Sequence, residues 1–281
     1  MKKMSIGEVF REAFRIFSLH IGKIFRLTLM IVLPVNALNC WFNFIMNDDG
    51  FLNTLYEALA DGTVTDSQLA EVSSRMLPYI VIFLILAALE AVFTLSIIML
   101  TADEGTHGAL GPSYLDGDIY VCNEGSGVVP VESATEYLAR GIKLLPAYAL
   151  TVLIGSLMCL VGIFFILPAL FFALLTVISV YGVALKNTKG MPALKAAMRI
   201  MIFSPSLILY SILPSIINYL FSLGVQSLLS ALPISDTAYL IILAAVSTVL
   251  TFGLSFFTIV PSVAFSNRFI MLEEKYKETK Q

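Results

Sequence analysis

The chain alternates between long apolar runs and short charged segments. Six runs read as transmembrane helices: 27–46, 77–101, two packed into the charge-free stretch 144–185, 202–229 and 238–265. Each offers about the 20 predominantly apolar residues that one helical crossing of a bilayer takes. Stretch 144–185 is roughly twice that length. Gly162 and Pro168 sit where it would turn, which predicts a tight hairpin. Ahead of the first run, Ile6, Val9, Phe10, Ala13, Phe14 and Phe17 recur at helical spacing, with Lys2, Lys3, Glu8, Arg11, Glu12 and Arg15 on the other face. That pattern predicts an amphipathic helix lying flat in the membrane interface, apolar face down.

Residues 9–17 (VFREAFRIF) come back as 193–201 (ALKAAMRIM), and a fainter copy runs through Leu138, Ile142, Lys143 and Leu144. Each copy stands just before a pair of spans. The chain therefore reads as an all-α polytopic membrane bundle of three repeated units, each an interfacial amphipathic helix followed by a transmembrane hairpin. The expected boundaries within this single membrane domain are an interfacial helix at 1–26, a first hairpin at 27–101 and a loop at 102–132. A second unit at 133–185, a third at 186–265 and a tail at 266–281 complete it.

Composition agrees with a membrane location. Charged residues make up 13% and mean hydropathy is +0.89, where a soluble chain carries about 25% charged residues. Of the 17 Lys and Arg, Arg75 alone falls outside if the N-terminus is cytoplasmic, so the positive-inside rule predicts both termini in the cytoplasm. Segment 47–76 is then outside and acidic, carrying Asp48, Asp49, Glu57, Asp61, Asp66 and Glu71. It reads either as a solvated cap of one or two short helices or as a cation-binding surface. The net charge of −3 has no clustered basic face behind it, which excludes nucleic acid as a partner. Cys40, Cys122 and Cys159 are isolated and read as free thiols. No cleaved signal peptide is expected, because the first 20 residues are amphipathic.

Glu90 is the one charge inside the six runs, at mid-membrane depth. A charge there costs about 2.5–3.5 kcal/mol on insertion scales and marks a functional position by default. Its helical neighbours Ala87, Ala91 and Thr94 form a small-residue face of the kind that packs on another helix, so Glu90 is expected to point inward. Asn36 and Asn218 sit at similar depth. Asn36, Asn39 and Asn43 share one face of the first span. A stripe from Ser204 through Ser211, Ser215, Asn218, Ser222 and Gln226 to Ser230 runs down the fifth, and Ser247, Thr251, Ser255, Thr258 and Ser262 line the sixth. Two readings stay open: interhelical hydrogen bonds, or a polar path with Glu90 as its ionisable centre. Pro34, Pro168, Pro205, Pro214 and Pro261 are expected to break or kink the helices.

On the repeated helices, Arg11, Arg15, Lys195 and Arg199 are candidates for lipid headgroups, each base contributing about 1 kcal/mol toward an anionic surface. The bland alternative is that these helices frame the bundle. In the loop, Asp103, Glu104 and His107, or Asp116-Gly117-Asp118, lack the spacing of a zinc or calcium site. A short hairpin around 118–122 fits them better, and no metal or other cofactor is expected. No nucleophile elbow, phosphate loop or Cys/His dyad is present in the sequence, which points away from an enzyme.

The opening SIGEVFREAFRIFSLHIGKIFRLTLMIVLP and the later VGIFFILPALFFALLTVISVYGVALKNTKGMPALKAAMRIM carry a further signal. They resemble the bacterial six-span family named for the membrane domain of glycerophosphoryl diester phosphodiesterases. The shared features are the Gly-to-Pro hairpin and the basic, Gly-containing turn into an amphipathic helix. Some members of that family carry a soluble phosphodiesterase domain, but this chain has no segment long enough for one and lacks its His-Arg pair. It also departs in Lys186 and Asn187, where relatives often place an acid, and in its longer 102–130 loop. The resemblance implies a multi-pass protein of the inner membrane. The leading expectation is a non-enzymatic protein that interacts with lipid or organises the membrane. A small transporter or channel-like subunit, and a membrane partner of a larger assembly, are the alternatives. Membrane lipids are the expected partners, with a protein partner or homo-oligomer left open.

Overall fold

The structure, a computed structural model, describes residues 4–48, 66–107, 133–162, 166–186, 188–230 and 235–278, and these are helical with no strand among them. In chain order the helices are α1 (Ile6–Leu19), α2 (Ile21–Leu27), a π-helical turn (Thr28–Val32), α3 (Leu33–Asp48), α4 (Asp66–His107), α5 (Ala134–Gly162), α6 (Ile166–Lys186), α7 (Met191–Phe203), α8 (Ser206–Ser230) and α9 (Asp236–Glu278). Five stretches are long and apolar enough to cross a membrane: Ile21–Phe42, Ile80–Asp103, Ala134–Gly162, Pro168–Leu185 and Thr237–Arg268. The fifth expected span corresponds to α8, whose apolar described stretch, Tyr219–Leu229, is shorter than a crossing.

Several expected boundaries shift. The first crossing begins at Ile21, because α2, the π-turn and α3 form one rod and leave only α1 as a separate helix. The π-turn lies directly before Pro34, where a missing N–H disturbs the α-helical ladder. Residues 66–76, expected within a separate acidic cap, belong to α4, so that helix runs 42 residues, about 63 Å at 1.5 Å per residue. The α4 rod also extends into the expected loop as far as His107. The strand hairpin around 118–122, Cys122 and the acids Asp49, Glu57 and Asp61 lie outside the described residues. Asp103, weighed above as a metal ligand, instead pairs with Arg140 of α5 at 2.9 Å.

The buried core occupies one end of the bundle, the end that carries α1, α7 and most of the basic residues. Leu95, Ile97, Ile98 and Leu100 of α4, Ile178 and Val183 of α6, and Ile259 and Ala264 of α9 are fully buried there. The Tyr181 and Phe265 rings meet at 5.4 Å. At the opposite end the same helices carry exposed apolar side chains: Phe83, Leu84 and Ile85 on α4, Leu153, Leu157 and Leu160 on α5, and Leu170 on α6.

Three short segments wrap this core in the same way. In 9–17, 137–145 and 193–201 the first, fifth and eighth residues are buried: Val9, Ala13 and Ile16; Tyr137, Gly141 and Leu144; Ala193, Ala197 and Ile200. The third, sixth and seventh are exposed: Arg11, Phe14 and Arg15; Ala139, Ile142 and Lys143; Lys195, Met198 and Arg199. The fifth position is always Ala or Gly, which lets the backbone approach its neighbour. A Cβ on Gly141 would sit 2.8 Å from the Val92 carbonyl oxygen of α4. Segment 9–17 packs on α9, 137–145 on α4, and 193–201 on α6. The middle segment is continuous with its span, α5 being a single helix.

These packings correct the expectation that α1 and α7 lie flat with their apolar faces on lipid. Helix α1 runs along α9 instead. Met4 N–H donates to Asn267 Oδ1 at 3.2 Å, Phe10 meets Phe256 at 6.3 Å, and Phe17 meets Phe252 at 5.7 Å. A lipid tail competes with an apolar side chain on equal terms, so close packing at small residues decides the outcome. Local signals fix where the segments start. Ser5 and Glu8 form a capping box at α1, and Ser133 N–H donates to Glu136 Oε2 at 2.6 Å at α5. Gly190, with φ +61°, makes the turn into α7 and gives its N–H to Thr151 Oγ1 at 2.8 Å.

Candidate functional site

The sixth-span stripe lies on α9, and Ser247, Thr251, Ser255 and Thr258 from it face one cavity of about 430 Å³. The cavity is bounded by the first crossing through Ile31, Val32, Val35 and Asn36, and by α4 through Glu90, Phe93 and Thr94. Leu250 and Leu254 complete the wall on α9. All three helices contribute from the middle of their spans. The π-turn supplies Ile31 and Val32, a placement common for π-turns, which concentrate at functional positions.

Glu90 lines this cavity together with Thr94 one turn further along α4; of the small-residue face expected around it, Ala91 is buried and Ala87 is exposed. Its carboxylate is not sealed in packing. Glu90 is exposed, and among the described residues it makes no hydrogen bond or ion pair. The phenol of Tyr148 on α5 lies within electrostatic range of it. Among the described residues neither Lys nor Arg lines the cavity.

Asn36 joins this site but not as a donor to Glu90. Its Nδ2 donates to Thr248 Oγ1 at 3.2 Å, and Thr248 Oγ1 in turn donates to the Ala244 carbonyl at 2.7 Å. The chain of donors fixes which end of the amide meets Thr248: Thr248 has given away its proton and can only accept, so the Asn36 nitrogen faces it. Thr251 Oγ1 donates to the Ser247 carbonyl at 2.9 Å and Ser255 Oγ to the Phe252 carbonyl at 2.6 Å. Ser262, the last of the stripe, is fully buried and donates to the Thr258 carbonyl. The side chain of Asn218, like those of Ser211, Ser215, Ser222, Gln226 and Ser230, lies outside the described residues.

The basic candidates remain at the surface. Arg11, Arg15, Lys195 and Arg199 are exposed, and Arg15 pairs with Glu12 at 2.7 Å. The sequence reading missed two features. Lys143 occupies the same exposed place as Arg15 and Arg199, a position the fainter repeat already contained. Arg268 is buried at 3% exposure. It gives Nε to Ser204 Oγ at 3.1 Å, Nη1 to Asn267 Oδ1 at 2.7 Å and Nη2 to the Met4 carbonyl at 2.9 Å. It thus ties Met4, the α7–α8 turn and α9 together, and as the first base after an apolar run it looked in sequence like an ordinary flanking charge.

Comparisons with protein-family models, with curated proteins and with solved structures find no match to this chain. The chemistry of the site therefore rests on its own geometry. Among the described residues no group of three His, Cys, Asp or Glu is placed to hold a metal ion. The arrangement offers one carboxylate and a set of hydroxyl and amide oxygens around a space large enough for a small solute.

Proposed function

We propose that this chain is a six-span, non-enzymatic protein of the bacterial inner membrane that holds a small polar solute in the cavity around Glu90, as a transporter or channel-like subunit. Helix α8 is the sixth crossing, both termini are cytoplasmic, and the packed end of the bundle is the cytoplasmic end. The observation that carries the reading is a mid-membrane cavity with a carboxylate unengaged by any described side chain. Polar side chains at that depth are costly in lipid and are kept where they line a cavity or a path. Inward of the cavity Ile24, Leu27, Ile97 and Ile259 are fully buried, so the site is closed on the cytoplasmic side and faces outward.

A cysteine-free variant, with Cys40, Cys122 and Cys159 replaced, carrying Ser247→Cys tests this. A membrane-impermeant thiol reagent added to intact cells should modify Cys at 247. A thiol protected from both sides would mean a dry packing gap and would end the solute reading. Reaction only from the cytoplasmic side of inverted vesicles would reverse the topology.

A second reading, association with anionic lipid, is favoured by the three repeated segments. Each presents an exposed apolar side chain next to an exposed base: Phe14 with Arg15, Ile142 with Lys143, Met198 with Arg199. That pairing suits the headgroup boundary. The recurrence of one burial pattern in three places also supports three pseudo-equivalent units, each helix clasping the second span of another unit. On this reading the ring of bases anchors the protein while the cavity does its work, in keeping with the resemblance to the six-span membrane family. Replacing Arg15, Lys143 and Arg199 together by Gln should reduce the anionic lipid retained on purification. Unchanged retention in a folded variant would leave these helices as framing only.

A further inference from the structure

Among the described polar residues that line the cavity, those whose hydrogen bonding is fixed lean toward accepting. Glu90 brings two carboxylate oxygens, and Asn36 has one of its N–H groups committed to Thr248. Thr251 and Ser255 have committed their hydroxyl protons to carbonyls of their own helix, so toward the cavity each can only accept. Thr94, Ser247 and Thr258 carry hydroxyls that can turn either way. Among the described lining side chains the remaining N–H on the Asn36 amide is the one nitrogen donor, and no Lys or Arg is among them.

From this bias we infer that the occupant is a donor-rich organic cation: a primary ammonium joined to a short apolar body. The inference rests on the cavity being a solute site, as proposed above. The three N–H groups of an ammonium suit a lining that offers carboxylate and hydroxyl acceptors, and its charge matches Glu90. An anion would meet Glu90 and a wall of lone pairs, with desolvation uncompensated. Size argues for a body beyond the charged head. At about 30 Å³ per water, 430 Å³ is far larger than a bare alkali ion fills, and Val32, Val35, Leu250 and Leu254 supply an apolar wall for carbon.

The test uses calorimetry on the full chain in nanodiscs of zwitterionic lipid, titrated with n-butylammonium, with butyrate as the size-matched anion and potassium as the bare cation. Saturable binding of n-butylammonium is expected, weakened about tenfold or more in Glu90→Gln, since a charge-assisted hydrogen bond is lost. Thr251→Val, which keeps the side-chain shape and removes one acceptor, should weaken it several-fold and provides the reading if Glu90→Gln fails to fold. Butyrate should give no saturable heat, and equimolar potassium should not displace the amine. Binding of butyrate as tight as that of the amine, displacement by equimolar potassium, or unchanged affinity in both variants would overturn the inference. If n-butylammonium does not bind while Cys at 247 still reacts from outside, the cation assignment falls and the solute cavity stands. An unreactive thiol removes both.

Discussion

The two ends of this bundle are built on different terms. At the end carrying α1 and α7, nearly every apolar position of α4, α6 and α9 is buried, and small residues bring backbones together at Ala13, Gly141 and Ala197. At the other end the helices keep their apolar character but expose it, as at Phe83, Leu160 and Leu228. Both ends carry apolar side chains along α4, α6 and α9, so hydrophobicity alone does not separate them. What separates them is whether a wrapping segment is present to supply close packing, since in lipid an apolar side chain gains little from leaving one apolar surroundings for another. The Glu90 cavity lies at the boundary between the two regimes.

Substitutions at matched positions should break that contrast or sharpen it. The largest effect is expected at Gly141, where a Cβ would lie 2.7 Å from Ser96 Oγ as well as close to the Val92 carbonyl oxygen. Gly141→Val should cost about 3 kcal/mol or more in thermal unfolding, because backbone cannot move aside as a side chain can. Gly253, with nothing within 4 Å, should accept Ala with no loss, or a gain of up to about 1 kcal/mol. Equal costs at the two glycines would erase the distinction.

Next in size is Ile97→Ala, at a fully buried position, expected to cost about 2–3 kcal/mol through the cavity it leaves. Leu160→Ala, at 60% exposure, should stay within about 0.5 kcal/mol. Arg268→Gln comes third at about 1–2 kcal/mol, since Ser204, Asn267 and the Met4 carbonyl lose a buried donor. Proteolysis near the N-terminus should speed up in the same variant, because Met4 loses its anchor. The smallest effect is Asn36→Leu, which removes the link to Thr248. An interhelical bond of this kind contributes on average about 0.6 kcal/mol, so a much larger loss would mark this contact as a principal tie between the first crossing and α9.

Much of this was legible in the chain. The polar stripe of α9 could be read because residues spaced by three and four share a face, and Ser247, Thr251, Ser255 and Thr258 do line one cavity. Glu90 was legible for its solitude. Partners were not: periodicity names a face but not what covers it, so the apolar side of α1 pointed equally to lipid and to α9. Thr248, one position off the stripe, was invisible as the acceptor for Asn36. The repeat in α5 was faint because Tyr137 and Gly141 share burial, not chemistry, with Val9 and Ala13. The Ser5-Glu8 and Ser133-Glu136 pairs were readable as capping signals and would have fixed the register of two copies.

The account stands most directly on a depth profile along α9. Single cysteines at Ser247, Thr251, Ser255, Thr258 and Ser262, in the cysteine-free background, would be reacted from the outer side with an impermeant thiol reagent. The predicted rates are highest at Ser247 and Thr251, lower at the nearly buried Ser255, and vanish at Ser262, which is fully buried in the packed end. Equal protection at all five positions, or reaction at Ser262 as fast as at Ser247, would contradict a cavity that opens outward above a closed cytoplasmic core.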